Sequence, residues 1–428
     1  MALSQRAQTV AGAGRNNPFW DVIKDCWSAT TNPNGYVNVG VAENTMMHDE
    51  LLKYINKPHE LPVKYLTYND GGSGSSRLKA AIAGFLNRHM KPVTPLEPGH
   101  IIATNGVSSA IEHVVWSFAD AGEGVLLGRP YYGAFIPDIS LRLGGSVVPV
   151  SFDDLDPLSA EGVDKYEEAL LEFQQRTGKK VRVLMLSHPH NPLGRCYPRE
   201  TLIKLMQFCQ KYQIHLVSDE IYALSTFENT IDEHPPQVKF ESALSIDTTD
   251  IIDPRLVHVL WGMSKDFGAN GFRLGVIISQ ANTDVHAALT GPTLYTYVSA
   301  HTDYLASIIL EDFVFTDWYL RENQKKLSES FAYTVKYLKD HGIEYGTGCN
   351  AAFFVWMNLG KKYRELHPEE EGEAIGDKVM QRLLQKKVFL VSDSMAGSEK
   401  AGWFRMVFTQ GQHHVAEALK RIVVAIDE

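Results

Sequence analysis

The chain has no basic run longer than two or three residues, no apolar stretch near the ~18 residues of a membrane span, and only four cysteines in 428 residues. Each shortage closes a class of function. Nucleic acids and anionic membranes are bound through clustered positive charge, whereas here a net charge of −10 goes with scattered Lys and Arg. Cys26, Cys196, Cys209 and Cys349 show neither the close spacing of a zinc site nor the density of a secreted disulfide scaffold. They read as free thiols in a reducing compartment. The first twenty residues, MALSQRAQTVAGAGRNNPFW, lack the apolar core of a secretory signal. A soluble, cytoplasmic protein without a nucleic-acid or membrane partner is the expectation. There is no internal repeat. The one biased patch, Glu369-Glu370-Glu371-Gly372-Glu373, reads as a solvated loop and helix start.

What is there is ordinary globular material, 44% apolar and 21% charged, long enough for two or three domains of roughly 100–200 residues. The first 45 residues are loop-rich, with a short helix expected near Phe19–Trp27. Helical periodicity over Arg77–Met90 and Ser108–Ala119 then alternates with short apolar runs at His100–Thr104, Gly124–Gly128, Ser146–Val150, Val181–Ser187, Ile214–Ser218, Val257–Trp261 and Leu274–Ser279. Apolar strands separated by helices imply an α/β fold with a mostly parallel sheet covered on both faces. Beyond about residue 300 come a long amphipathic helix, Phe315–Asp340, and expected strands at Ala352–Leu359, Val388–Val391 and Trp403–Phe408, with a helix near 373–386. This predicts a large domain over 61–300 and a smaller α+β domain over 301–428. The N-terminal segment, 1–60, is expected to complete the small domain and the substrate site.

Ligands of open parallel sheets sit beyond the carboxyl ends of the strands, so the residues after each apolar run carry the chemistry. They are Asn105 to Ser109 opening a helix, Arg129-Pro130-Tyr131-Tyr132, His188 to Gly194 with Asn191, Asp219 to Tyr222, and Ser264-Lys265. Singly, each has a plain reading: Asp as a helix cap, Asn-Pro-Leu-Gly as a turn, Tyr-Tyr as packing, Ser as a cap. Caps and turns do not explain all five at one edge of one sheet. Together they suit pyridoxal 5′-phosphate. A lysine can bond its aldehyde, a carboxylate can face its pyridine nitrogen, and a phenol and an amide can hold its ring oxygen. An aromatic ring can stack on it, and a helix N-terminus with a fixed cation can take its phosphate.

The motifs NPNGYVNVGVAEN (32–44), TNGVSSAIE (104–112), PYYGAF (130–135), HPHNPLG (188–194), SDEIY (218–222), SKDFGANGFRLG (264–275) and GWFRMVF (402–408) occur in this order. In that order the chain resembles fold-type I enzymes of the class I/II aminotransferase group, of aspartate aminotransferase-like fold. Within that group it is most similar to 1-aminocyclopropane-1-carboxylate synthases and their fungal-type relatives. The resemblance implies that Lys265 is the Schiff-base lysine and proton carrier and that Asp219 pairs with the pyridine nitrogen. Asn191 and Tyr222 would hold the ring oxygen, and Tyr132 would stack on the ring. Val107, Ser108 and Arg273 would bind phosphate with Ser264 nearby, Arg405 would grip the substrate α-carboxylate, and Glu43 would face the substrate. It also implies a homodimer with shared active sites.

Two positions depart from the pattern. Gly262 stands where the family has a phosphate-binding serine. A glycine of the stretch Tyr68–Leu78 stands where the synthases have a cross-dimer tyrosine, leaving Tyr68 as the candidate replacement. The same stretch lacks the third glycine and the preceding strand of a dinucleotide fingerprint. His188 and His190 lie on a proline-rich turn without acidic neighbours, so no metal is expected. The implied function is a lyase acting on a sulfur-bearing or otherwise β/γ-substituted α-amino acid. An aminotransferase is the alternative, and a non-catalytic module of the same fold is a remote third.

Overall fold

The computed structural model describes residues 3–15, 19–368 and 374–427, so the acidic patch at 369–373 lies outside the described residues. Among the described residues, thirteen strands form three sheets. In chain order they are β1 (Val37–Asn38), β2 (Ile101–Thr104), β3 (Gly124–Gly128), β4 (Ser146–Val150), β5 (Val181–Ser187), β6 (His215–Asp219) and β7 (Val257–Gly262). After these come β8 (Gly275–Ile278), β9 (Glu344–Tyr345), β10 (Phe354–Asn358), β11 (Val388–Phe389), β12 (Val391–Ser392) and β13 (Trp403–Val407). The large sheet has seven strands in the order β2-β8-β7-β6-β5-β3-β4. All of its pairs are parallel except the two made by β8, which runs antiparallel to both β2 and β7.

Successive side chains of a strand point to opposite faces, and both faces of this sheet are covered, which is why its strands read as continuous apolar runs. Val183, Met185, Val217, Leu260 and Ile277 enter one core with the helix Val107–Phe118. Leu184, Leu186, Leu216, Val259, Trp261 and Ile278 enter the other, with the helices Ser76–Met90, Val163–Thr177 and Arg199–Tyr212. The long helix spans Phe313–Asp340 and packs Leu327, Phe331 and Val335 into the first of these cores.

The smaller sheet has the order β12-β13-β10-β9 and is antiparallel. Here one expectation fails. Val388–Val391 is not a single strand: β11 pairs in parallel with β1 of the N-terminal segment, while β12 pairs with β13. The buried Leu390 separates the two partners. Strand β10 ends at Asn358, whose side chain accepts from Lys361 N–H at 2.9 Å and starts the helix Leu359–Leu366. The expected N-terminal helix spans Phe19–Lys24, and a further helix, Gln5–Arg15, precedes it.

At the opposite edge of the large sheet from the strand ends of interest, His215 Nδ1 and His258 Nε2 lie 3.0 Å apart, and His258 Nδ1 meets Ser279 Oγ at 3.0 Å. His215 stacks on Phe118 at 3.6 Å. Burial holds His258 well below its usual pKa, with His215 and His286 adding to the effect, and pushes His215 down to about 4. As pH falls, the unfolded chain therefore takes up these protons first. Their contribution to stability is whole above about pH 6.5 and is lost below it. His258→Gln keeps a hydrogen-bonding side chain and should shrink the pH 7-to-5 drop in urea-unfolding free energy. An unchanged drop would mean that the folded chain carries a protonated His258.

Candidate active site

The strand ends do converge. Strand β7 runs into a single helical turn, Met263–Asp266, that carries Ser264 and Lys265. Asp266 fixes this turn: its buried carboxylate accepts from Trp261 Nε1 at 3.0 Å, Ser225 Oγ at 2.8 Å and Leu224 N–H at 3.2 Å. Asp219 ends β6, Asn191 follows β5, Tyr132 follows β3, and Val107 and Ser108 follow β2. Because β8 is antiparallel, Arg273 precedes it at the same edge. These residues line one cavity of ≈180 Å³ together with Ser187, Ile111, Ile221, Tyr222, Ser264, Lys265 and Asn270.

Of the charged groups here, Lys265, Asp219 and the exposed Arg273 line the cavity, whereas Arg405 does not and reaches it through Asn191. Burial, with Arg405 and Arg273 adding repulsion, pulls the Lys265 amine down to about 8, against the attraction of Glu43 and Asp219. Its Nζ donates to the carbonyl of Ala42 at 2.6 Å. Burial also pushes Asp219 up to about 7, against the Ile221 N–H, which donates to Asp219 Oδ1 at 3.2 Å, and against the charge of Lys265. Arg405, on β13, is 4% exposed and has no carboxylate partner among the described residues. Its Nη1 donates to Asn191 Oδ1 at 2.8 Å, its Nη2 to the Gly40 carbonyl at 2.5 Å, its guanidinium lies 4.4 Å over Phe354, and its Nε has no partner. A buried guanidinium held by neutral acceptors, with one donor unused, keeps capacity for an anionic acceptor.

The other end of the cavity is built for an oxyanion. The helix Val107–Phe118 presents its first N–H groups there, and they have no preceding helical carbonyl to bond. Gly106, at φ 108°, passes directly beneath the Arg273 guanidinium, which would collide with any Cβ at that position. The departure at Gly262 has a steric cause: a Cβ there would lie 2.5 Å from the Leu274 carbonyl oxygen and 3.1 Å from Val107 Cγ2. Gly275 is equally confined, with Val107 N 2.5 Å from its would-be Cβ. The close approach of these backbones leaves no room for a hydroxyl-bearing side chain at 262.

Two expected residues stand apart. Glu43 is exposed at the edge of the site, and its carbonyl accepts from Thr409 Oγ1 at 2.7 Å. Tyr68 does not line the cavity; its ring is 88% exposed, and its carbonyl accepts from the Tyr297 hydroxyl. His188 and His190 are buried on the backbone: His188 Nε2 meets the Glu241 carbonyl at 2.9 Å and His190 Nδ1 accepts from Leu193 N–H at 3.4 Å. Asn270 and the carbonyls of Gly40 and Ala42 were not anticipated. Asn270 could have been found from its place between Lys265 and Arg273. Main-chain oxygens carry no residue-type signal.

Residues 58–422 match the family described as aminotransferase class I and II. The chain belongs to this family. Among curated relatives, it is 32% identical to a probable inactive 1-aminocyclopropane-1-carboxylate synthase-like protein 2 of Mus musculus over 94% of this chain and 68% of that one. It is 31% identical to a probable aminotransferase of Aspergillus oryzae over 90% of both chains, and 30% identical to 1-aminocyclopropane-1-carboxylate synthase 6 of Oryza sativa subsp. japonica over 94% of this chain and 74% of that one. Among solved structures, a tetra mutant of Thermus thermophilus aspartate aminotransferase complexed with tryptophan superposes with a TM-score of 0.74 at 18% identity, covering 99% of this chain and 100% of the other. That likeness is one of fold.

Family members depend on pyridoxal 5′-phosphate, and the cavity fits that group: a lysine amine and a buried carboxylate face it, and a helix N-terminus with Arg273 over Gly106 closes one end. Because Gly262 is sterically required, Gly262→Ser should lower folding stability by about 1–3 kcal/mol without tightening cofactor binding. Urea unfolding and cofactor titration of the stripped protein measure the two effects. Tighter binding at unchanged stability would show that the 262 position can host a hydroxyl.

Proposed function

We propose that the protein is a pyridoxal 5′-phosphate-dependent lyase acting on a sulfur-bearing or otherwise β/γ-substituted α-amino acid. The observation that carries the amino-acid part is Arg405, a buried guanidinium with an unused Nε and no carboxylate of its own. Its geometry suits a bidentate hold on a substrate α-carboxylate, which fixes Cα relative to Lys265. When bound, the cofactor supplies an aldehyde for the substrate amine and a ring that accepts the electron pair left at Cα. Lys265 then serves as the base at Cα: with its amine held near 8, a useful fraction is neutral at physiological pH. Asp219, a buried carboxylate in the cavity wall, would be the residue that holds the ring nitrogen of the bound group in its protonated form. Tyr222 and Asn191 offer a hydroxyl and an amide to the ring oxygen, and Tyr132 offers a stacking face.

The lyase branch is favoured by Glu43, whose charge acts on Lys265 from the rim of the site. A carboxylate there can handle a second proton as a β- or γ-substituent leaves. The second reading, an aminotransferase, is favoured by the fungal relatives, which carry that name. A non-catalytic module is disfavoured because Lys265, Asp219 and Arg405 are all present in the sequence, although one mouse relative is named as probably inactive.

Product analysis decides between these. The purified protein is given S-adenosylmethionine, cysteine conjugates and common amino acids, with and without a 2-oxo acid. Release of thiol, ammonia or a ring-closed product without 2-oxo acid is expected. Turnover only in the presence of a 2-oxo acid would replace the lyase reading with the aminotransferase one.

We also infer a homodimer. Tyr68 and Tyr295 are 88% and 82% exposed and belong to neighbouring segments, since the Tyr68 carbonyl accepts from Tyr297. Thr296 of the same segment accepts from Asn105 N–H at 3.0 Å beside the oxyanion end of the cavity. With Val63, Leu66 and Leu294 of the same segments also exposed, the two rings add to an apolar surface of the kind that marks an interaction site. Sedimentation should give twice the chain mass at micromolar concentration; a monomer would remove this element.

A further inference from the structure

The segment 292–297 runs past the oxyanion end of the cavity. It contains only a single helical turn, Pro292–Leu294, which is too short to hold its own shape. On its outer side Leu294 and Tyr295 are exposed. Within one chain it is held from the inner side, and Thr296 makes two of those contacts. The Thr296 carbonyl accepts from Asn105 N–H at 3.0 Å, and its hydroxyl meets His113 Nε2 at 2.8 Å. His113 is buried on the helix Val107–Phe118, whose first turn closes the cavity. Its Nδ1 lies 2.8 Å from Glu112 Oε2, and a carboxylate can only accept. Nδ1 therefore carries the hydrogen of the neutral ring, Nε2 is left as an acceptor, and the Thr296 hydroxyl donates to it. Glu112 is steadied in turn by Arg142 Nε at 3.5 Å.

Asn105 is where β2 gives way to this helix. Its Oδ1 accepts from Ser109 Oγ at 2.5 Å, and the next residue, Gly106, passes beneath Arg273. Thr296 thus spans the junction: its main chain holds Asn105, before the helix, and its side chain holds His113, further along the same helix. A residue fixed at both points sets the angle between the incoming strand and the helix, and so the aim of the first helical N–H groups.

We propose that His113 is a positioning residue for the phosphate end of the cavity, acting through Thr296: the imidazole holds Thr296, and the Thr296 carbonyl holds Asn105, from which the phosphate-facing turn begins. Hydrogen bonds to an oxyanion weaken steeply when the donor is misaligned. A shifted junction is therefore felt by a ligand with a phosphate and not by one without. The inference rests on the reading of this end as the phosphate site.

The test uses the full chain stripped of cofactor and needs no turnover. It is titrated with pyridoxal 5′-phosphate and with pyridoxal, which has the aldehyde and the ring but no phosphate. Thr296→Val keeps the shape of the side chain and removes the hydroxyl. It should weaken pyridoxal 5′-phosphate on the order of tenfold, the size expected when a buried acceptor loses its donor, and leave pyridoxal unchanged. Thr296→Ser keeps the hydroxyl and should bind both ligands as the natural protein does. His113→Leu should show the same phosphate-selective loss, and combining it with Thr296→Val should add nothing further, because the two residues act through one contact. Thermal unfolding checks that each variant folds, and either folded single variant that breaks the contact suffices.

An equal loss for both ligands would overturn the proposal, because the contact would then serve the fold as a whole. Unchanged pyridoxal 5′-phosphate binding in folded Thr296→Val would overturn it too. Failure of the underlying reading looks different: the natural protein itself would then bind pyridoxal as tightly as pyridoxal 5′-phosphate.

Discussion

One reversal of chain direction organises the site. Strand β8 runs antiparallel between β2 and β7, so the connection over 263–274 turns back at the edge where the parallel strands end. Lys265 therefore leaves the end of β7 and Arg273 enters the start of β8 at the same edge, with the helix after β2 alongside. A parallel β8 would need a crossover of a dozen or more residues to the far edge, which would carry Arg273 away from Lys265. The reversal crowds backbone on backbone at its base, and Gly106, Gly262 and Gly275 are the consequence. The same crowding that brings a guanidinium over a helix N-terminus forbids the hydroxyl expected at 262.

Within this frame the electrostatics follow from desolvation more than from pairing. Lys265 is lowered and Asp219 is raised chiefly by burial, and Arg405 is also lowered by burial, with neutral acceptors as its direct partners. Salt bridges of comparable groups elsewhere in the protein are direct and more exposed, as between Arg195 and Asp156 at 2.7 Å. Leaving buried charges without ionic partners is unfavourable for the fold alone. It becomes favourable if, as proposed, ligands bring the missing charges: a phosphate near Arg273, a protonated ring nitrogen near Asp219 and a carboxylate at Arg405.

Strand ends were legible in the sequence because a doubly covered sheet imposes uninterrupted apolar runs, and the first polar residue after each run marks the edge. This is why Asp219, Asn191, Lys265 and Tyr132 stand out in the sequence as residues of one sheet edge. The meaning of Gly262 was not legible, because the steric argument depends on Leu274 and Val107, which are near in space and not in sequence. Val388–Val391 misled for a related reason: an apolar run says that a segment is buried but not that it has one partner throughout. Asn270 went unnoticed because its role depends on an atom of Ala42, more than two hundred residues earlier.

That dependence on the N-terminal segment gives the site its coupling. The segment is held to the small sheet where β1 meets β11, and Val407 N–H donates to the Val39 carbonyl at 2.7 Å. Across the site, Gly40 accepts from Arg405 and Ala42 accepts from Lys265 and Asn270. On the proposed reading, a carboxylate on Arg405 would compete with the Gly40 carbonyl, since charged acceptors bind a guanidinium more strongly than neutral ones. The hydrogen bonds from Arg405, Lys265 and Asn270 tie residues 40–42 to the small and the large sheet at once, so the N-terminal segment is a structural part of the site.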